Sequence, residues 1–485
     1  MVKFLNFILT FVNKYTIKWQ FFEVISFYKS MLSVYSNSII PNYNVAPVKN
    51  NKSVATNNTV CNTQYASVPS FKGTTQPSIN FRTSLSTKEE KQEYNFLTKK
   101  LDKEGRKQLN AILKNGILLN NDSNDKSTAL DNLYKMATTP RATGMNADIL
   151  LKHTLNAISN PYSITQRFGD IPQEKKAEVI DNLTNNSKNL IDRKVADYDI
   201  TDLFSGCCVA ASEEFNLASK KPAEFTRFAE GLTSPQMAVN KEIQLDSLSD
   251  KTLDAIWLLN AFEIPYDAKD FKTAKVTLAP DKNAIIREQI QETHQDELER
   301  SPIDVLMQST FMNIGSQQSY NTLNDKRGGK FSNEDRGLID FEKTFLESVV
   351  EDKNITSVTY QKVDENQRIV GYETDYNSVK EQLLETLNSG HNIIIGYTMT
   401  DENNYIKGGH EITIIGAKTD NNGELSFICN DTDDDDPNPI EYPASYIIPK
   451  IHHAGIPTNI AEKNMQQTDN WVLGVRDFNN QNKVA

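Results

Sequence analysis

Cysteine is scarce in this chain: 485 residues carry only Cys61, Cys207, Cys208 and Cys429. They are too few and too scattered for a disulfide framework, so a chain of this length has to be held by its own core. Positive charge is also short. The 52 Lys and Arg face 64 Asp and Glu, giving a formal net charge of −12 and a pI near 5.2. Nucleic acid and anionic membrane surfaces are bound through clustered Lys and Arg, so neither is expected as the main partner. Long apolar runs are missing too. Phe4 to Val12 falls short of the ~20 residues of a bilayer span, and Asn13, Lys14, Lys18 and Gln20 soon interrupt it. No small-residue cleavage site follows closely. Residues 1–36 are therefore open to three readings: a signal or anchor, an amphipathic segment, or a stretch ahead of a true start at Met31. Membrane association is expected only through residues 1–30, and the compartment stays open between secreted and cytoplasmic. No internal repeat stands out.

Residues 37–85 are rich in Asn, Ser, Thr and Pro, most clearly at Asn50 to Thr59. Such a stretch buries too little apolar surface to offset the entropy of ordering, so a disordered linker is expected. Helical signals begin at Ser86-Thr-Lys-Glu89, a capping-box pattern. Tyr94, Leu97, Leu101, Leu109, Ile112 and Leu113 then recur at helical spacing up to a break at Gly116. With further helices expected over 173–194, residues 86–195 read as a small all-α module. From 201 to 300 the pattern stays mostly helical, ending in a strongly charged helix over 283–299. Residues 315–337, with Arg327-Gly-Gly-Lys330, read as a long surface loop, followed by helices over 340–351 and 376–388. Strand patterns then gather over 355–363, 369–372, 392–399, 411–417, 425–429 and 445–451, with a hairpin turn at Asp420-Asn-Asn-Gly423. The order predicts an α+β fold with segregated halves, followed by a polar tail over 458–485.

Three positions carry candidate chemistry. A cysteine is a useful nucleophile only as thiolate, and a free pKa of about 8.5 has to be lowered by a helix N-terminus or an imidazolium. Cys208 sits at such a helix start, because Ala211, Phe215 and Ala218 follow on one face. Gly206 is suited to a tight turn just before it. His410 follows Gly408-Gly409 and leads into Ile412 and Ile414, the alternation of a strand entering a core. A hairpin turning at 420–423 brings His410 toward the far end of Leu425 to Cys429, where Asn430 and Asp431 lie. An amide or carboxylate there would fix the tautomer of the ring and steady its imidazolium. The bland alternatives are a buried small thiol and a strand-edge histidine. The other histidines, at 153, 294, 391, 452 and 453, lack an equivalent setting.

Gly206-Cys-Cys-Val-Ala-Ala-Ser212 resembles the helix start of papain-like cysteine peptidases, with Cys208 on the nucleophile. Gly409-His-Glu-Ile-Thr-Ile-Ile-Gly416 resembles the family's histidine strand, and Gly390-His-Asn-Ile-Ile-Ile-Gly396 the strand before it. Phe427-Ile-Cys-Asn-Asp431 is similar to both variants of the third position: Asn430 matches papain relatives, Asp431 the peptidases that remove double-glycine leaders. The resemblance covers residues 195–455 and implies a papain-like domain over 196–457. In that fold a helical lobe bears the Cys and an antiparallel β lobe bears His and Asn or Asp. It implies peptide-bond hydrolysis through a Cys208 thioester, with His410 as base and then acid, on a peptide or protein substrate, without metal or organic cofactor. The 86–195 helices would then be either an accessory module or an inhibitory pro-segment.

Two positions depart from the pattern. Val209 stands where the family has Trp, and Asp202 where it commonly has the Gln that donates to the oxyanion. An ionised Asp cannot donate, and loss of one such donor slows reaction by about 10²–10³. The Cys208 backbone amide would then supply part of the oxyanion hole. Two alternatives follow: an acyltransferase or amidase using the same site, and a non-catalytic binding module of the same fold. The acidic run Asp431-Thr-Asp-Asp-Asp-Asp-Pro437 lacks the Gly and distant Glu of an EF-hand loop and reads as a solvated turn.

Overall fold

A computed structural model describes residues 82–167, 206–248, 252–293, 300–323, 325–328, 337–433 and 438–468. The expected linker up to residue 81, the helices over 173–194 and Asp202 lie outside the described residues.

Four helices come first among the described residues: α1 (Lys88–Lys100), α2 (Lys103–Lys114), α3 (Ala129–Thr138) and α4 (Ala147–Ser159). Polar caps set their starts. Thr87 and Glu90 form a capping box for α1, one residue beyond the expected pair, and Thr128 and Asp131 do the same for α3. Gly116, at φ +78°, ends α2 where only glycine turns without strain. After the gap come α5 (Cys208–Lys220), α6 (Pro222–Leu232), α7 (Thr252–Ala261), α8 (Ala284–Thr293), α9 (Pro302–Gly315) and α10 (Asp340–Glu351). Leu97, Leu109, Leu130 and Leu155 of the first four helices share one hydrophobic core with Phe225, Phe228, Phe311 and Phe345 of the later ones. Helix α3 packs on α6, and α9 packs on both α5 and α6. The helices on either side of the undescribed 168–205 stretch are therefore one packing unit.

Strands β1 (Val239–Gln244), β2 (Tyr266–Asp267) and β3 (Thr273–Leu278) form a small antiparallel sheet in the order β1-β3-β2. The mostly helical expectation for 201–300 did not include this sheet. In β1 exposure alternates strictly, but Lys241 occupies a buried position and so breaks the apolar pattern.

The second half builds β4 (Ile355–Thr359), the short pair β5 (Gln361–Val363) and β6 (Ile369–Tyr372), then α11 (Tyr376–Asn388), β7 (Ile393–Thr400), β8 (Ile406–Thr419), β9 (Leu425–Asn430), β10 (Ile440–Pro443), α12 (Ala444–Ile447), β11 (Ile451–Pro457) and α13 (Thr458–Thr468). Six strands pair antiparallel in the order β10-β9-β8-β7-β11-β4. The hairpin β8–β9 closes where expected, with Gly423 at φ +86° and Asp420 N donating to Glu424 O at 2.9 Å. Ile393, Ile395, Ile412, Ile414 and Phe427 pack with Val379 and Leu383 of α11 and Ile460 of α13 as a second core. The fold is thus mixed helix and sheet, with helices concentrated first and the larger sheet second.

The charged helix expected over 283–299 is present as α8 up to Thr293, with 294–299 outside the described residues, and its Arg287 and Glu288 are fully buried. Three further expectations need correction. The 315–337 stretch is not a surface loop throughout, because Tyr320, Thr322, Asp325 and Arg327 are buried and Arg327 pairs with buried Glu342 of α10. Residues 445–451 are mainly a helix and a 3-10 turn, with the strand starting only at Ile451. The polar tail cannot start at 458, since Ile460 and Ala461 of α13 are buried in the second core.

Candidate active site

Helix α5 presents Cys208 as its first residue, with Cys207 as N-cap. Cys207 makes no side-chain cap hydrogen bond, so the first-turn amides keep their donors for a ligand or a negative charge at the sulfur. The two cysteines are free thiols and have separate fates: Cys207 is buried and Cys208 is partly exposed. Cys207 Sγ lies 3.0 Å from Tyr320 Oη, 3.5 Å from Asp325 Oδ1 and 4.0 Å from Arg300 Nη1. Asp325 also accepts from the Gly206 amide and, at 2.9 Å, from Tyr320 Oη. Cys207 and Gly206 are therefore tethered underneath while Cys208 faces outward. Burial lifts the Asp325 carboxyl to about 6, against the pull of the Gly206 amide and the Tyr320 hydroxyl.

Strand β8 carries His410 opposite Tyr397 of β7, and β9 ends at Asn430 with Asp431 next. His410 Nε2 meets Asp431 Oδ1 at 2.7 Å, with both side chains about seven-eighths covered. The ring also hydrogen-bonds the Cys208 side chain. Burial works against the charged ring, but the bonds to Asp431 and Cys208 outweigh it and hold the His410 pKa well above the usual imidazole range. Asp431 is shifted the other way. Burial would raise its carboxyl, yet the hydrogen bond and charge of His410 bring it below the ordinary value. Tyr397 lies edge-on to the imidazole, ring centroids 5.8 Å apart.

Of the expected residues, Cys208, His410 and Asp431 come together. Asn430 does not join them: it pairs in register with Thr413, is buried, and its amide nitrogen has no hydrogen-bond partner. The choice between Asn430 and Asp431 is thereby resolved, because strand pairing fixes Asn430 at the hairpin and the residue after the strand end reaches the ring. Asp202 lies outside the described residues, as do Asp434 to Asp436. Among the described residues no group of three or more His, Cys, Asp or Glu has metal-holding geometry.

Several neighbours of the site carry no motif that would have marked them. Asp433, two residues past Asp431, is lifted by burial, an effect opposed by the charge of His410 and a hydrogen bond from the Gln166 side chain. Behind the site, Glu411 is buried and lies 3.0 Å from His453 Nε2 and 3.3 Å from Lys343 Nζ, so its carboxylate links α10, β8 and β11. His453 was expected only to lack a setting equivalent to that of His410. Its partner Glu411 adjoins His410 in sequence, and only the sheet order brings β11 beside β7.

No protein-family model, curated protein or solved structure matches this chain.

Proposed function

We propose that the chain is a papain-like cysteine hydrolase that cleaves peptide bonds. The observation that carries this reading is one imidazole, on β8, bonded to Asp431 through Nε2 and to Cys208 at the first position of α5. A histidine so placed serves as a base toward the thiol while a buried carboxylate holds its tautomer. The order Cys, His, Asp along the chain adds support. So does the distribution of the three: the cysteine starts a helix that packs in the helical core, His410 lies on an antiparallel sheet, and Asp431 directly follows the neighbouring strand.

The chemistry runs in two halves. Cys208 gives its proton to His410, and the sulfur adds to the substrate carbonyl while the α5 first-turn amides face the developing oxyanion. The tetrahedral adduct collapses to a thioester as His410 returns the proton to the departing amine. Water then attacks the thioester, giving its proton to His410, and the carboxylate product leaves with Cys208 regenerated. Asp431 stays ionised throughout and stabilises the imidazolium.

A peptide library offered in H₂¹⁸O tests the reaction. The expected products are new amino termini paired with carboxylates carrying one ¹⁸O from solvent, lost in Cys208→Ala. Products joined to an added amine without ¹⁸O would instead make the protein an acyltransferase, and absence of any product from folded protein would contradict the hydrolase reading.

A further inference from the structure

The turn that carries Asp431 is docked on a distant segment that follows α4. Thr165 Oγ1 donates to Thr432 O at 2.9 Å across 267 positions of sequence, and the Gln166 amide donates to the same oxygen at 3.0 Å. The Gln166 side chain, almost wholly buried, hydrogen-bonds the Asp433 carboxylate. The segment is gripped equally from the helical side. Gln308 Nε2 on α9 donates to Thr165 O at 2.8 Å, and the Arg300 amide donates to Arg167 O at 2.8 Å. Gln308 Nε2 also donates to Glu214 Oε2 at 3.0 Å, and Glu214 lies on α5, the helix that starts with Cys208. Just upstream, Tyr162 packs its ring 5.4 Å from Phe215 of the same helix.

A continuous path of hydrogen bonds thus runs from the cysteine helix through Gln308, Thr165 and Thr432 to the turn that orients the imidazole. We propose that Thr165 and Gln166 are positioning residues for the triad, forming a strap from the N-terminal helices that sets Asp431 against His410 and ties that turn to the helix bearing Cys208. This rests on the hydrolase reading of the same site. Without the strap, the 431–433 turn retains the Asp433 amide bond to Asp431 Oδ1 at 3.0 Å, a contact within the turn that does not fix it against the helical half. Small misplacement of a catalytic group lowers rate steeply. A cover that is released on activation would not carry the site's own hydrogen bonds, so residues 82–167 act as part of the catalytic body.

The test is a mutant cycle on full-length protein, read as the rate of Cys208 alkylation by iodoacetamide across pH 5–9 with peptide mapping. Gln166→Leu keeps the volume and removes the donor. It is expected to slow labelling about tenfold at pH 6, to move the pH profile as Asp431→Asn does, and to add nothing in the Asp431→Asn background. Thr165→Val, which removes only the hydroxyl bond, is expected to act in the same direction and serves as the probe if Gln166→Leu does not fold. Normal labelling in both variants, or losses that add fully to that of Asp431→Asn, would overturn the positioning role while leaving the triad standing. If Cys208 of the unaltered protein labels no faster than in the unfolded chain, the hydrolase reading fails and the strap's role fails with it.

Discussion

Asp431 Oδ1 sits 2.7 Å from His410 Nε2, whereas Asn430, one residue earlier, is locked in register opposite Thr413. A single step along the chain decides which side chain serves the imidazole, because pairing at the end of β9 stops between them. Asp431→Ala is expected to lower kcat/KM by about 10²–10⁴, the usual range for losing acid–base support. Asn430→Ala should leave it near the parent value. Peptide hydrolysis by the two variants checks this, and the reverse ranking would contradict the assignment.

The buried carboxyls make stability fall with rising pH. Glu347 of α10 is lifted from 4.5 to about 8 by burial, opposed by Lys343 and reinforced by Glu351 and Glu411; Glu213 of α5 also faces it. Asp304 of α9 is lifted from 3.8 to about 6 by burial, despite its bonds from Ser301 and Glu214. For a carboxyl whose folded value is raised, the stabilisation is complete below the unfolded value and disappears as pH climbs through the folded one. His410, also raised, acts with the same sign; His391, lowered chiefly by burial, opposes it. Asp431 and Glu411 are lowered, so their contributions are lost only toward strong acid. Tm is therefore expected to be higher near pH 5 than near pH 8, by about 3 °C or more, with Glu347→Gln flattening the slope. A Tm that rises over this interval would contradict it.

Gly396 is required by the charge cluster behind the site. A Cβ there would lie 2.2 Å from His453 Cε1 and 2.6 Å from Glu411 Oε1. Gly396→Ala is expected to push His453 off Glu411 and destabilise the fold by about 1–3 kcal/mol. Adding His453→Ala should recover part of the loss by opening space. Denaturant unfolding of the three proteins measures this, and an unchanged midpoint for Gly396→Ala would count against the described packing.

Truncation separates a removable module from a structural one. Because Leu97, Leu109, Leu130 and Leu155 share a core with Phe225, Phe228, Phe311 and Phe345, a chain beginning at residue 196 exposes that surface. Such a protein is expected to aggregate, since losing several buried large side chains exceeds the marginal stability of a domain. Co-expression of residues 1–195 should restore soluble material. A cooperative thermal transition for 196–485 alone would show that the helices are separable.

Much of this was readable in the sequence where the signal is local. Helices over 340–351 and 376–388, the strand over 369–372 and the turn at 420–423 carry their own periodicity or turn residues, and α10, α11, β6 and the β8–β9 hairpin follow them. Cys208, His410 and Asp431 were legible because each sits in a short distinctive run. What escaped depended on distance or on buried charge. Lys241 hides the alternation of β1, since its ammonium pairs with Glu224 at 3.6 Å inside the protein. Arg327 made a buried stretch read as a surface loop because its partner, Glu342, is supplied by α10. The run at 445–451 is too short and too apolar for period to separate helix from strand. Thr165 and Gln166 have no motif at all; only folding brings them to Thr432.

The most direct test of the account is the pH profile of Cys208 alkylation in the native protein, set beside the unfolded chain, His410→Ala and Asp431→Ala. Native Cys208 is expected to react at pH 6 about tenfold or more faster than in the unfolded chain, with the advantage lost in His410→Ala and reduced in Asp431→Ala. Labelling that rises only near pH 8.5 and ignores both substitutions would contradict an activated Cys208–His410–Asp431 site.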